Sequence, residues 1–455
     1  MPSITEIVDD GRPETLQFYP FAYALLTEEA GAFCWYCLDE FDHRLECKAL
    51  NKVSELPSVE VRMLGRIVAR QKAILSGKAD SIPYFYHNRT SQRDIMQLAH
   101  HAEDMRNDKR AYEKFTRLHE ELKAFYGSGN LLEEETVFQL HCRNFINRHA
   151  ISDRAYMREI GKGLYLDLCA YNHSCRPNVI YTCEGLVATL RPLHAGVDIG
   201  NKASTFYTYI DLIAHKAERR KELQESWYFH CECERCLDDN EHALTATVCP
   251  ACSAPVHLFG SLSSKDLDRV KLSCAECGES ISKGQVFDAF EAMRFVDRTV
   301  NNGEIPQMGK MKGRKFIEGF LSSFKGKLLP KCNVFYAKLL QQAIQLCEPD
   351  ETEKLLEYHL DAEACMRICF PPNHPALAYH LMNIGIFSAR LGKESEAAKY
   401  LDEARQMLHF TLGSEHPMSR NLAAFEASLA AEKAAPAAEQ QTEAEQIEPE
   451  KGESS

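Results

Sequence analysis

No stretch of this 455-residue chain approaches the ~20 consecutive apolar residues of a membrane-spanning helix. The first residues, Met1 to Asp10, also lack the basic-then-apolar order of a secretory signal. These absences argue against a membrane role and place the expected location in the cytoplasm and nucleus. A surplus of positive charge is missing as well. The chain has 53 Lys and Arg against 66 Asp and Glu, a formal net charge of −13, so it has no general basic footprint for releasing counterions from nucleic acid. Direct nucleic-acid binding is not expected, and a basic protein tail fits the charge better as a partner. What the chain does have is eighteen cysteines. In a reducing compartment these are not a disulfide framework, and their grouping into CxC and CxxC pairs points to metal, with zinc the default.

The remaining composition, 45% hydrophobic and 26% charged, is that of a globular chain long enough for two or three domains. Around Leu16 to Leu26, "LQFYPFAYALL" reads as strand, followed by a small Cys/His cluster. Val61, Leu64 and Val68 recur at helical spacing, as do Leu98, Met105, Tyr112, Phe115, Leu118 and Leu122, which predicts a helical insert. Residues 137 to 228 read as short alternating stretches, with Glu184-Gly185 placed like a hairpin turn, hence a compact β-rich core. Beyond Cys277 the pattern is helical to about Glu432, and the acidic, aromatic-free end is expected to be disordered. Within the helical end, His374-Pro375 and His416-Pro417 open two similar stretches, with Gly392 between paired helices and Ala397 and Ala398 at their crossing. This predicts a tetratricopeptide-like helical array, the alternative being unrelated packed helices.

Three blocks carry the most information: "EIGKGLYLDLCAYNHSCRPNVIY" from Glu159 to Tyr181, "YTYIDL" from Tyr207 to Leu212, and "WYFHCECERC" from Trp227 to Cys236. Together they resemble the SET domain. Their order, with a Cys/His cluster ahead of a helical insert, is similar to that of the SET and MYND domain-containing family of protein lysine methyltransferases. The resemblance runs from about Leu16 to the end of the helical array. It implies an α+β fold: a β-rich SET core with a helical insert, small zinc modules and a carboxy-terminal tetratricopeptide-like all-helical domain covering the substrate cleft. The corresponding division is 1–33 for the amino-terminal part of the SET domain, 34–50 for a MYND remnant, 51–135 for the insert and 136–228 for the SET core. A post-SET segment at 229–240, a zinc-ribbon-like insert at 241–285, the helical domain at 286–432 and the acidic tail at 433–455 complete it.

The implied chemistry is methyl transfer from S-adenosylmethionine (SAM) to a lysine amine, a direct displacement with nucleophile, carbon and sulfur in line. A free lysine has a pKa near ~10.4, so the site must favour the neutral amine, which a narrow apolar channel beside a cationic cofactor does by desolvation and like charge. By resemblance, Asn172 and His173 contact the cofactor, Tyr209 points its hydroxyl at the methyl-transfer site, and Phe229 packs on the adenine. Asn147 is the remaining cofactor contact, with Asn144 competing for the same assignment. Taken one by one, a Tyr or Phe in a β-rich core is more often packing and an Asn more often a turn residue. It is the combination that carries the assignment.

For zinc, Cys231, Cys233 and Cys236 supply three thiolates of a tetrahedral site, and the resemblance makes Cys175 the fourth. Cys249, Cys252, Cys274 and Cys277 have C-x2-C-x21-C-x2-C spacing with Pro250 and Gly278 at the knuckles, a zinc-ribbon signal. The amino-terminal Cys34, Cys37, His43 and Cys47 retain only the outer half of a MYND module and are expected to hold one zinc, the alternative being none. Two further departures stand out. The Gly-rich turn that opens family SET domains is not found before Leu16, and the acidic turn before Tyr207 is replaced by the longer "AGVDIGNKASTFYTYIDL". These losses sustain an alternative in which the SET core is an inactive scaffold and the zinc and helical parts bind proteins. The expected partners are a protein substrate with an accessible lysine and proteins docking on the helical array, with the chain a monomer.

Overall fold

The computed structural model describes residues 15–18, 20–25, 57–78, 93–153, 159–258, 272–301, 303–324 and 327–445. Cys34, Cys37, His43 and Cys47, and the region where the Gly-rich turn was sought, lie outside them. The fold is α+β, as the sequence implied, with small sheets, two Cys-rich clusters and a helical carboxy-terminal region. No described helix is long and apolar enough to cross a membrane.

The first strand-like run is two strands, β1 (Leu16–Phe18) and β2 (Ala22–Leu25), belonging to different sheets. Pro20 lies between them, and a residue without an N–H cannot extend a ladder. The insert is helical: α1 (Val59–Leu75), α2 (Ala102–Asn107), α3 (Lys109–Tyr126) and α4 (Glu134–Asn147). Ser58 caps α1 by accepting from the Val61 N–H at 3.3 Å, and Asp108 caps α3 by accepting from Arg110 and Ala111. The periodic residues Val61, Leu64, Val68, Met105, Phe115 and Leu122 form one buried core with Val137, Phe138 and Leu140 of α4. This corrects the reading of 137–147 as β-like: the stretch is a helix, held there by the apolar face it lends to the insert.

The β-rich part follows as β3 (Arg148–Ser152), β4 (Glu159–Leu164), β5 (Asn172–His173), β6 (Val179–Glu184), β7 (Val187–Pro192) and β8 (Phe206–Tyr207). One sheet has the order β1-β7-β6 and another β2-β4-β3, while β5 runs parallel to β8. The β6–β7 hairpin pairs Glu184 with Val187, and Gly185 at φ 60° takes the left-handed position that a tight two-residue turn requires.

Next comes α5 (Lys216–Trp227), a helix where the reading of 137–228 as alternating stretches expected strand, followed by α6 (Glu234–Leu237) and two small hairpins, β9 (Thr247–Val248) with β10 (Pro255–Val256) and β11 (Leu272–Ser273) with β12 (Ser280–Ile281). The helical part comprises α7 (Lys283–Asn301), α8 (Glu304–Gln307), α9 (Lys310–Phe324), α10 (Val334–Leu346), α11 (Thr352–Cys369), α12 (Pro375–Arg390), α13 (Glu394–Thr411) and α14 (Pro417–Glu445). From α10 onward each helix packs on the next. The repeated His-Pro has a physical basis as a helix start: His374 Nδ1 accepts from the Ala376 N–H at 3.2 Å and His416 Nδ1 from Met418 at 3.3 Å, each with Pro at the first helical position. Gly392 ends the α12 turn at φ 71°. The close approach of α12 to α13 is made by Gly385, where an added Cβ would lie 2.6 Å from Leu401. Ala397 is buried at this crossing and Ala398 is exposed. The last helix continues to Glu445, past the point where the sequence pattern ends the helical module.

Candidate active site and metal centres

The β5–β8 pairing sets His173 beside Tyr207, and the chain reaches Tyr209 two residues later. The Tyr209 N–H donates to His173 Nδ1 at 3.0 Å, which leaves the imidazole proton on Nε2, 3.2 Å from Cys175 Sγ. His173 is buried and neutral: burial lowers its pKa to about 4, opposed by Cys233 and reinforced by Arg219. It therefore ties the cleft to the cysteine cluster in the way an outer-shell histidine orients a metal ligand. Asn172, its neighbour, is exposed.

Tyr209 donates its hydroxyl to the Tyr171 carbonyl at 2.8 Å. Burial first, and Cys169 second, push that hydroxyl well above the usual tyrosine range, so it stays protonated. Tyr171 is itself braced, because its own hydroxyl donates to the Ile199 carbonyl at 3.0 Å and Ile199 is buried. The long segment before Tyr207 thus folds onto the residue that aims Tyr209. Around Tyr209 stand Tyr207 at 5.1 Å, His173 at 5.2 Å and Trp227 at 5.6 Å between ring centroids, with Phe229 6.1 Å from His173. Trp227 donates Nε1–H to the Ile146 carbonyl at 3.0 Å, and Cys169 Sγ to the Asn147 carbonyl at 3.3 Å, which brings the end of α4 to the same place. Burial pushes the Cys169 thiol up to about 12.

Asn147 has its amide nitrogen committed to the Ala99 and Arg143 carbonyls, at 2.7 and 2.8 Å. The competing Asn144 is buried with its Oδ1 unpartnered among the described residues. A cavity of about 310 Å³ opens against this constellation, lined by Glu159, Tyr181, Tyr207, Tyr209 and, from the start of α12, His374. Sequence reasoning missed Tyr207 and its partner His149, whose Nε2 lies 2.7 Å from the Tyr207 hydroxyl. Burial lowers His149 to about 4, leaving a neutral ring. Nothing in local spacing marks that pair.

Two clusters of four cysteines meet metal-binding geometry, each with its Sγ atoms within 4.8 Å of one another: Cys175 with Cys231, Cys233 and Cys236, and Cys249 with Cys252, Cys274 and Cys277. Four soft thiolates at tetrahedral spacing are a donor set suited to Zn(II). In the second cluster the knuckles are closed by Ser253 N–H to Cys249 O at 2.9 Å and Gly278 N–H to Cys274 O at 2.9 Å. The left-handed residue of each is the one after its second cysteine, Ser253 at φ 63° and Gly278 at φ 76°, so Ser253 rather than Pro250 is the counterpart of Gly278.

The α+β fold thus carries a tyrosine-lined cleft beside a buried four-cysteine centre. No protein-family model matches the chain. Relatives do: it is 24% identical over 384 residues to the N-lysine methyltransferase SMYD2-B of Danio rerio, covering 82% of this chain and 77% of the relative. It is 24% identical over 384 residues to the histone-lysine N-methyltransferase SMYD3 of Homo sapiens, covering 84% and 78%. With the N-lysine methyltransferase SMYD2 of Homo sapiens it shares 22% over 444 residues, 87% of this chain and 88% of the relative. These similarities, spread over most of the chain, bear out the resemblance to the SET and MYND domain-containing family.

Proposed function

We propose that this chain is a SAM-dependent protein-lysine N-methyltransferase that works as a monomer in the cytoplasm and nucleus. The observation that carries the reading is the fixed Tyr209, in the wall of a cleft it shares with Tyr181 and Tyr207, its hydroxyl anchored on Tyr171 and its N–H on the His173 that touches Cys175. The cleft suits a lysine side chain: its aromatic walls desolvate the amine and lower its pKa toward the neutral, nucleophilic form. Tyr209 keeps its proton on the Tyr171 carbonyl, so its oxygen is left to accept from the incoming amine and hold it in line. Bound SAM supplies an electrophilic sulfonium methyl group. Asn172, His173, Phe229 and either Asn147 or Asn144 would hold it. The unpartnered Asn144 Oδ1 and the exposed Asn172 fit a ligand rich in N–H donors. Zn(II) on Cys175, Cys231, Cys233 and Cys236 would fix the segment that carries Phe229.

The first test is calorimetric titration of the zinc-loaded protein with SAM, alongside an Asn172→Ala, Phe229→Ala variant, followed by mass spectrometry of lysine-containing protein substrates. Saturable binding that the variant loses, with added methyl mass on lysine, is the expected result. A folded parent that binds no SAM would overturn the reading and leave a protein-binding scaffold.

A further inference from the structure

Beneath the Cys175 cluster, three charged side chains are withdrawn from water. Arg219 is 0% exposed, Arg235 is 1% and Glu241 is 5%. Glu241 accepts from both guanidiniums, from Arg219 Nη1 at 2.8 Å and from Arg235 Nε at 2.5 Å. Arg219 Nη1 also donates to the Ala214 carbonyl at 2.6 Å, and its Nη2 lies 3.8 Å from Cys236 Sγ. Arg235 Nη1 reaches three carbonyls from separate parts of the chain: Cys175 at 3.3 Å, Leu212 at 3.0 Å and Cys369 at 3.1 Å.

Two cations and one carboxylate leave one positive charge in a dry interior, which is costly unless compensated. Among the described residues no second carboxylate accepts from either arginine. The adjacent group that can compensate is the cysteine centre, since Zn(II) with four thiolates carries a net charge of −2 by simple count. The two arginines divide the work. Arg219, with Nη2 3.8 Å from Cys236 Sγ, supplies counter-charge to that centre, and Arg235, joined to it through Glu241 and bonded to the Cys175 carbonyl, grips the carbonyl that ends α11, five residues before His374 enters the cleft wall.

We propose that Arg235 is a positioning residue that couples metal occupancy of the Cys175, Cys231, Cys233 and Cys236 centre to the placement of the helical array over the cleft. Metal loading and docking of the 369–376 segment form one linked equilibrium, with the triad as the link. The proposal rests on the methyltransferase reading only for its kinetic consequence.

The test is Arg235→Lys in the full, zinc-loaded chain, which keeps the charge and loses the fan of carbonyl contacts. Hydrogen exchange across residues 369–376 should speed up by roughly fivefold or more, the lower end of coupling between linked sites. KM for a lysine peptide should rise by a similar factor, with kcat changed far less. Unchanged exchange and unchanged KM would overturn the proposal. Should the variant fail to fold, the parent decides. Stepwise chelation that empties this centre should deprotect 369–376, whereas emptying only the other centre in a Cys252→Ser variant should not, and protection that survives loss of both metals would equally overturn it. If the parent transfers no methyl group, the methyltransferase reading fails, and the exchange measurements still settle the coupling.

Discussion

Tyr209 is held at both ends, its N–H on His173 Nδ1 and its hydroxyl on the Tyr171 carbonyl. Replacing it with Phe removes one hydroxyl and leaves the ring packing, so Tyr209→Phe should stay folded, at a cost of about 1 kcal/mol for the lost bond to the Tyr171 carbonyl, and lose methyl transfer by on the order of 10²–10³-fold, as for other preorganised polar groups. Turnover at the parent's rate would remove Tyr209 from the mechanism. At this scale the sequence was legible where the candidate site is written in contiguous letters: the Asn-His-Ser-Cys run and the Tyr-Ile-Asp block contain His173, Cys175 and Tyr209, which the structure brings into contact. It was silent on Tyr171, His149, Arg219, Arg235 and Glu241. Their roles arise from contacts across the fold, such as the bond between Arg235 and Cys369, 134 positions apart in the chain, and no local spacing records those.

Among elements, the two cysteine centres and the α12–α13 pair make separate predictions. Cys233→Ser should cost one zinc and disturb the cleft, because Cys175, which shares that cluster, also touches His173. Cys252→Ser should cost one zinc and spare the cleft. Metal analysis and SAM titration of the two variants check this, and equal effects of both on SAM binding would contradict it. In the helical array, Gly385→Ala forces a Cβ to within 2.6 Å of Leu401 Cδ2 and 3.1 Å of the Leu401 backbone nitrogen. Overpacking of this kind typically costs about 1–3 kcal/mol, readable as a lower denaturant midpoint. The helix period was plain from sequence in the insert and the array, where apolar faces repeat. It misled at 137–147, where α4 buries its face against the insert and the residues look alternating when read alone.

Over the whole molecule, burial lowers the pKa of His141, His359 and His374 to about 3 and of His149, His173, His215, His380 and His416 to about 4. An unfolded histidine titrates near ~6.5, so below that pH the unfolded chain binds more protons than the folded one. Stability from these groups is fully present above about pH 6.5 and is lost as pH falls from there toward about 4. Within the array, His380 donates Nε2–H to the His359 carbonyl at 2.9 Å and its Nδ1 faces His359 Nδ1 at 3.2 Å, so at most one proton fits between the rings. Urea midpoints measured between about pH 7.5 and 5 should fall with acidity, and less steeply in a His359→Leu, His380→Leu variant. A slope that the variant leaves unchanged would remove this pair from the acid response.

The two cysteine centres differ in one further respect. Three of the four thiols around Cys175 are buried and the fourth is half-buried, whereas Cys252 and Cys277 stand exposed at the surface. Oxidants and competing chelators therefore meet the ribbon first. When zinc becomes scarce the ions of these two centres should leave in sequence, and a sample stripped of the ribbon's metal can still carry an intact cleft, so bulk zinc content is a poor gauge of how much working protein a preparation holds.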